Sequence, residues 1–354
     1  MKSGSDKKFI LICLAIIVWT VIVYRALFFF PADRDALRAA ALYAEILEKV
    51  KSAREKSGIP VDTEIDPDGF GIIGLDYSEI TTTQGSLAAK RSTGNRVTAA
   101  LIVKLLKEAG VSKDSRIAIN ASGSFPGFVM ASLAACSALH LDADVIISIG
   151  ASSYGANTPG FTIADMLLSE DVLTLLRPNR DYRLIAVTPG GSDDRGAELD
   201  ADELERVSGI LAQNEISFMR PQSLEEAIDL RVKLFLENNC DILINIGGSH
   251  ASGGGDAEIS LLSGLIKPDD VKKYESAGLI QEFLSEEKIV IQLLNAKKLY
   301  APYGLIFDKT GTLRSGAESI YRIKTPASVI IVLLPPLCLA LLLIICRFRK
   351  QPVS

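Results

Sequence analysis

Residues 116–141 read RIAINASGSFPGFVMASLAACSALHL and contain the unit that decides the fold. A short apolar run breaks into a loop of glycine, serine and proline, and a long apolar stretch with helical character follows. The same order recurs downstream, where DVIISI at 144–149, RLIAV at 183–187 and DILINI at 241–246 each run into a glycine-rich loop. Strands that are apolar throughout and alternate with helices indicate a parallel sheet covered on both faces.

Further segments extend this pattern. ISFMRP at 216–221 and KIVIQL at 288–293 are expected to be strands, and FGIIGLDYSEITTT at 70–83 predicts a strand that leads into a polar turn. Residues 32–57 and 96–109 show helical periodicity, and residues 161–176 are expected to form one helix. We therefore predict an α/β fold, with a mostly parallel sheet and helices on both faces.

Both ends of the chain are strongly apolar. The 354 residues are 48% hydrophobic, with a mean hydropathy of +0.26, and the excess lies in residues 9–30 and 327–346. Roughly twenty apolar residues span a hydrocarbon core, so both runs predict transmembrane helices. A cleaved signal peptide is the alternative for the first run, but the run is long for that role and no Ala-x-Ala site follows it.

These two runs divide the chain into four regions. They are an N-terminal transmembrane anchor at 1–31, a juxtamembrane helix and linker at 32–68, an α/β domain at 69–324, and a C-terminal transmembrane helix with a basic tail at 325–354. Two spans place both termini on one side of the cell membrane. Basic residues near the spans are slightly more numerous on the terminal side, which favours cytoplasmic termini and an extracytoplasmic α/β domain.

Four loops rich in glycine and serine follow predicted strands, at 120–127, 150–160, 188–196 and 247–256. The carboxyl ends of parallel strands meet at one edge of a sheet, where ligands bind in open α/β folds. Backbone N–H groups in such loops suit an anion. The four loops together predict an anion-binding cleft.

Polar residues in and near these loops are candidates for ligand binding. Lys90 and Arg91 could hold a carboxylate or a phosphate, with a solvated basic turn as the alternative. Asp193, Asp194 and Arg195 form a polar cluster that either binds a ligand or cation or caps the next helix. The other candidate ligand-binding residues are Glu79, Ser122, Ser152, Ser153, Asn157, Gly247, Gly248 and Ser249.

Ser124 and His250 are the candidate catalytic residues. With Asp193 or Asp194 they could form a triad in which the histidine takes the serine proton. Neither ASGSFPG, which contains Ser124, nor GASSYG, which contains Ser152 and Ser153, fits the G-x-S-x-G elbow of hydrolases. A serine in such a loop is more commonly a helix cap or a turn residue. A histidine in a glycine loop is suited to proton transfer or hydrogen bonding.

Several kinds of chemistry find no support in the sequence. The net charge of −5 gives no basic footprint for nucleic acid. The five cysteines show no spacing typical of a zinc site or a disulfide framework, so we predict no metal. No motif in the sequence indicates which cofactor, if any, is bound. DKTGTL at 308–313 matches the phosphorylated-aspartate sequence of P-type ATPases, but the chain after it is too short for their nucleotide domain.

The chain resembles the poly-γ-glutamate system protein family, which are bacterial membrane proteins associated with the enzymes that make and export poly-γ-glutamate. The resemblance covers most of the chain between the apolar runs. It rests on GLDYSEITTTQGSLAAKRSTGN, ASGSFPG, SIGASSYGANTPGFT, GGSDDRG and NIGGSHASGGG. It implies a membrane component of capsule polymer biosynthesis or export, with synthase or export proteins as partners, and it assigns no catalytic residues.

Three hypotheses remain open from the sequence. In the first, the α/β domain binds the anionic polymer, its glutamyl units or a partner enzyme at the loop edge. In the second, it is a hydrolase or transferase that acts on the polymer through Ser124 or His250. In the third, it is a non-catalytic scaffold of a synthase complex.

Overall fold

The computed structural model describes residues 14–19, 21–22, 32–176, 182–254, 257–271, 278–308 and 320–322. Residues Arg34–Ile320 form one unit, here called the α/β unit, and the two terminal segments form another. Much of the first apolar run, all of the second, and most of DKTGTL lie outside the described residues. Within the residues described, no helix combines the length and the apolar character needed to cross a bilayer.

The α/β unit alternates strands with helices. Its described strands are β1 (Thr81–Thr83), β2 (Arg116–Ser122), β3 (Asp142–Ser148), β4 (Ala151–Ser152), β5 (Asn157–Thr158), β6 (Phe161–Thr162), β7 (Tyr182–Thr188), β8 (Ser217–Phe218), β9 (Ile242–Ile246), β10 (Gly264–Ile266) and β11 (Ile289–Leu293). Its described helices are α1 (Arg34–Lys56), α2 (Leu87–Thr93), α3 (Val97–Glu108), α4 (Pro126–Leu139), α5 (Ile163–Leu168), α6 (Glu170–Leu176), α7 (Ala201–Gln213), α8 (Leu224–Glu237), α9 (His250–Gly253), α10 (Ala257–Ser260), α11 (Leu279–Ser285) and α12 (Ala296–Tyr300).

The ends of the longer helices follow from local sequence. α4 has Pro126 in its first turn, where the missing N–H costs no helical hydrogen bond. It ends at His140, which adopts a left-handed conformation with φ of 57°. α8 begins after Ser223, whose Oγ accepts a hydrogen bond from the Glu226 N–H at 3.1 Å.

The main sheet has seven strands in the order β10-β11-β9-β2-β3-β7-β8. All neighbours are parallel except β10 and β11, which are antiparallel. The first strand of the sheet along the chain, β2, therefore lies between the second, β3, and the much later β9. The chain runs outward from β2 through β3 and β7 to β8, then returns to β9 on the other side of β2 and continues outward to β11. Such a reversal opens a crevice at the carboxyl ends of the strands.

Helices pack in two layers on this sheet. α1, α3 and α4 contact one another in one layer, and α8 contacts α11 in the other. On the α8 side, the rings of Phe235 and Phe283 lie edge to face with centroids 6.1 Å apart, in a cluster with Ala118 and Leu243 of the sheet. Side chains alternate along a strand, so Ile117 points to the opposite layer, and it is also fully buried. Both faces are covered, as the sequence predicts.

Several details of the sequence prediction are wrong. In residues 70–83 only β1 is a strand, and it pairs with β4 outside the main sheet. The helix expected at 161–176 is broken into α5 and α6 at Ser169, whose ψ of 124° is extended. The edge strand β10 is absent from the prediction because three residues carry no readable alternation. Apart from these corrections, the α/β unit defined by contacts begins at Arg34 and includes α1, which packs against α3 and α4.

The segments that flank the α/β unit meet each other. Ala32 and Arg322 form an antiparallel bridge, and the Asp33 N–H donates to the Tyr321 carbonyl oxygen at 2.7 Å. The chain therefore enters and leaves the α/β unit at neighbouring points.

Candidate functional site

A cleft of about 640 Å³ opens at the carboxyl ends of the strands, where the strand order reverses between β2 and β9. All four predicted loops contribute to its lining. The contributing loop residues are Ser122 at the end of β2 with Ser124 and Phe125 after it, Gly150 and Ser152 after β3, Gly190, Gly191, Ser192 and Asp194 after β7, and Gly247, Gly248, Ser249, His250 and Ala251 after β9. This volume is typical of a small-molecule site.

Lys90 extends from α2 into the wall of this cleft and is only 2% exposed. Its Nζ donates a hydrogen bond to Ser152 Oγ at 2.8 Å and another to the backbone oxygen of Ser124. The ring of Phe125 lies under the amine, with its centroid 3.5 Å from Nζ. Burial disfavours the charged form and lowers the pKa of Lys90 to about 7.

Ser152 and Ser124 lie on either side of the Lys90 amine. The Ser152 N–H donates to Ser124 Oγ at 3.0 Å, so the Ser124 hydroxyl supports the backbone of its neighbour. Among the residues that the structure describes, no hydrogen bond joins Ser124 to His250. The Ser124–His250 pair expected from the sequence is thus not formed, and the serine that contacts a potential base is Ser152.

His250 lies at the rim of the cleft, where it begins α9, and its side chain is 62% exposed. Its Nδ1 is 3.5 Å from Asp193 Oδ1, so one contact of the predicted triad is present. Asp193 Oδ2 also lies 3.6 Å from Arg195 Nη2 in an exposed ion pair. Neither Asp193 nor Arg195 lines the cleft, and ion pairs of this exposure contribute little to stability.

Asp194 differs from Asp193 because it is buried and paired beneath the cleft. Its Oδ2 lies 2.7 Å from Nη1 of Arg231, a residue of α8 that is 1% exposed. Its Oδ1 accepts from Thr188 Oγ1 at 2.8 Å and from Ser148 Oγ at 3.3 Å. Arg231 thereby balances the charge of the carboxylate, and the two hydroxyl groups fix it to the ends of β3 and β7.

The polar contacts continue across the sheet under the cleft. Arg231 Nε donates to Asn120 Oδ1 at 3.0 Å, and Asn120 Nδ2 donates to Asn245 Oδ1 at 2.7 Å. Asn245 Nδ2 donates in turn to Gln292 Oε1 at 2.7 Å and to the Gly247 carbonyl oxygen at 3.0 Å. This buried network therefore links β2, β9 and β11 to α8. It holds the loops after β2 and β9 in one arrangement, since Arg231 and the three amide side chains are all hydrogen-bonded.

Besides Asp193 and Arg195, four further predicted binding residues do not line the cleft. Arg91 donates to the backbone oxygens of Ile65 and Glu64, and Glu79 is exposed on the surface. Ser153 is buried, and its N–H donates to the Thr83 carbonyl oxygen.

Asn157 is fully buried and has a structural role. Its side chain accepts from the Leu75 N–H and donates to the Leu75 carbonyl oxygen, both at 2.9 Å. It also donates to Thr81 Oγ1 at 2.9 Å. The Leu75 carbonyl oxygen also accepts from the Tyr154 N–H at 2.6 Å, so this segment is held by a side-chain amide and isolated backbone bonds rather than by a regular strand ladder.

Sequence reasoning missed the residues of the buried network. Asn120, Asn245 and Gln292 each stand near the end of an otherwise apolar strand, and that repeated position is a signal that could have found them. Arg231 lies in an ordinary amphipathic helix and gives no such signal. Within the described ranges, no group of three or more His, Cys, Asp or Glu residues is placed to hold a metal ion.

Comparison of the chain with protein-family models, curated proteins and solved structures finds no match.

Proposed function

We propose that this protein is a membrane-anchored component of poly-γ-glutamate biosynthesis or export, and that its α/β unit binds a carboxylate-bearing ligand in the cleft. The ligand is a glutamyl unit of the polymer or a short stretch of it. The pathway comes from the motifs that resemble the poly-γ-glutamate system family. The ligand class comes from the cleft itself.

The observation that carries the ligand class is the Lys90 amine in the cleft wall. No ion pair joins it to a carboxylate within the described part of the chain, and its hydrogen-bond partners are neutral oxygens. A buried ammonium without a counter-ion is costly. A bound carboxylate would supply the missing charge, favour the protonated amine and raise its pKa.

The other titratable groups that line the cleft are two carboxylates, one of which is paired with an arginine, and two basic side chains. Asp194 is neutralised by Arg231, and Glu198 accepts a hydrogen bond from the Ser192 N–H. Lys297 and His250 line the cleft and are exposed. Glycine-rich loops add backbone N–H groups that suit carboxylate oxygens.

The membrane attachment is proposed from the two apolar runs at 9–30 and 327–346. The bridge between Ala32 and Arg322 supports it, because it brings together the chain segments from which the two runs extend. In this arrangement the protein is a two-pass protein of the cell membrane, with cytoplasmic termini and an extracytoplasmic α/β unit.

The test is binding of a γ-linked glutamyl oligomer to the full chain in detergent micelles, measured by titration calorimetry at pH 6.5. We expect Lys90→Met to weaken binding at least tenfold, since a charge-assisted hydrogen bond contributes about 1.5–3 kcal/mol. Lys113→Met is the matched control, because Lys113 is exposed and lies outside the cleft. Equal affinities for Lys90→Met and wild type, or no binding by the wild type, would overturn the proposed ligand.

A further inference from the structure

We propose that Ser152 is a nucleophile and Lys90 its general base, so that the cleft hydrolyses an amide bond. That the amide is a γ-glutamyl linkage rests on the proposed function. The serine–lysine pair rests on the geometry of the cleft and differs from the serine–histidine pair expected from the sequence.

The first support is the contact between the two side chains. Lys90 Nζ lies 2.8 Å from Ser152 Oγ, within the reach needed for direct proton transfer. Both residues line the cleft, so a ligand bound there would meet the hydroxyl.

The second support is the way the pair is held. The backbone oxygen of Ser124 accepts from Lys90 Nζ, and the Ser124 hydroxyl accepts from the Ser152 N–H. One residue thus positions the base by its carbonyl and the nucleophile by its side chain. Ser124 is therefore a positioning residue, a role that its sequence context does not reveal.

The third support is the protonation state of the base. A lysine must be neutral to accept a proton, and burial lowers the pKa of Lys90 to about 7. The Phe125 ring, which favours the charged amine, acts in the opposite direction, and no carboxylate pairs with Lys90 in the chain as described. In the ligand-free chain a substantial fraction of the amine is therefore neutral near neutral pH. The protonated amine holds a ligand carboxylate at lower pH, so binding through Lys90 and proton transfer to Lys90 belong to different pH ranges.

The reaction proceeds in two balanced steps. Ser152 Oγ attacks the amide carbonyl carbon while its proton passes to Lys90 Nζ; the C–N bond then breaks, and the Lys90 proton goes to the leaving amine. The product is an ester on Ser152 and a free amine. In the second step Lys90 takes a proton from water, which attacks the ester, and the carboxylic acid leaves as Ser152 recovers its proton.

The test uses an alkyl fluorophosphonate, which reacts with activated serines and releases fluoride. The full chain in detergent micelles is incubated with the probe from pH 5.5 to 9, and the labelled residue is identified by mass spectrometry. We expect one adduct per chain, on Ser152, with a labelling rate that rises with pH through about 7 as the Lys90 amine becomes neutral.

Variants separate the role of each residue. Ser152→Ala should abolish labelling, and Lys90→Met should slow it at least a hundredfold, which is the usual range for loss of a general base. Ser153→Ala is the matched control, because Ser153 is the adjacent residue, is equally buried and does not line the cleft. Its labelling rate should equal that of the wild type.

Two results would overturn the nucleophile, namely an adduct only on another serine, or no adduct on a wild-type chain that still binds the glutamyl oligomer. A pH-independent labelling rate would remove Lys90 as the base even if Lys90→Met did not fold. A different result would separate the two proposals. If the wild type is labelled on Ser152 but the Ser152→Ala variant does not bind the glutamyl oligomer, the nucleophile stands and the γ-glutamyl substrate is refuted.

Discussion

Replacement of Arg231 by methionine should strongly destabilise the α/β unit. Arg231 is 1% exposed, and its guanidinium lies 2.7 Å from the buried Asp194 carboxylate. Methionine keeps the apolar stem and the helix propensity of α8 but leaves Asp194 without its counter-charge. Removing one partner of a buried ion pair costs about 3–5 kcal/mol, and Asn120 Oδ1 also loses its donor. We therefore expect the free energy of unfolding to fall by about 3–5 kcal/mol.

The assay is urea unfolding of the full chain in detergent micelles, followed by circular dichroism. Arg195→Met provides the comparison, because Arg195 pairs with Asp193 on the surface and its loss should cost less than about 1 kcal/mol. The double variant Arg231→Met with Asp194→Asn should lose less stability than the two single variants added together. Equal, small losses for Arg231→Met and Arg195→Met would refute the view that the buried pair holds the cleft.

Three further predictions concern the walls of the cleft. The pKa of Lys90 is about 7 in the folded chain and 10.5 ordinarily, so between these pH values the unfolded chain binds one more proton than the folded chain. The free energy of unfolding of the wild type should therefore rise with pH from about 7 to 10.5. In urea unfolding, Lys90→Met should flatten this rise. Gly85→Ala should weaken glutamyl binding and lower the melting temperature, since the new Cβ would lie 2.4 Å from the Ser153 backbone oxygen. Gly209→Ala is the control: at this exposed position of α7 the new Cβ meets no neighbouring atom, and alanine should stabilise the helix by about 0.5–1 kcal/mol. Asn157→Ala should cost about 1–3 kcal/mol in thermal unfolding, because it removes three hydrogen bonds that the buried Asn157 amide makes to the Leu75 backbone and to Thr81 Oγ1.

The parallel sheet could be predicted from the sequence because its central strands are apolar on both faces and are followed by glycine-rich loops. β2, β3, β7, β9 and β11 all appear where the apolar runs stand. The failures are local and have physical causes. Gly74 and Leu75 bond to the distant Tyr154 and Asn157 instead of to a strand of the main sheet, and nothing in the pattern of residues 70–83 reveals those partners.

The candidate site could be located from the sequence, but its chemistry could not be assigned from it. The four loops gather at one edge because parallel strands have one carboxyl edge, which is a rule of topology. Which serine meets a base depends on side-chain directions across two loops and a helix. Lys90 precedes Ser152 by 62 positions, and their contact depends on the pairing of β1 with β4, two very short strands. Such short pairings leave no periodic signal.

The strand order also bears on how the chain folds during synthesis. β2, β3, β7 and β8 are neighbours in the order in which they leave the ribosome, so this half of the sheet can assemble on the nascent chain as it lengthens. The other edge of β2 stays open until β9 has emerged, and an open central strand is a template for pairing with other chains. Between the synthesis of β2 and that of β9, roughly 120 residues appear while this edge is bare. A pause or premature stop in that interval would leave an aggregation-prone intermediate, for which chaperone protection would matter most.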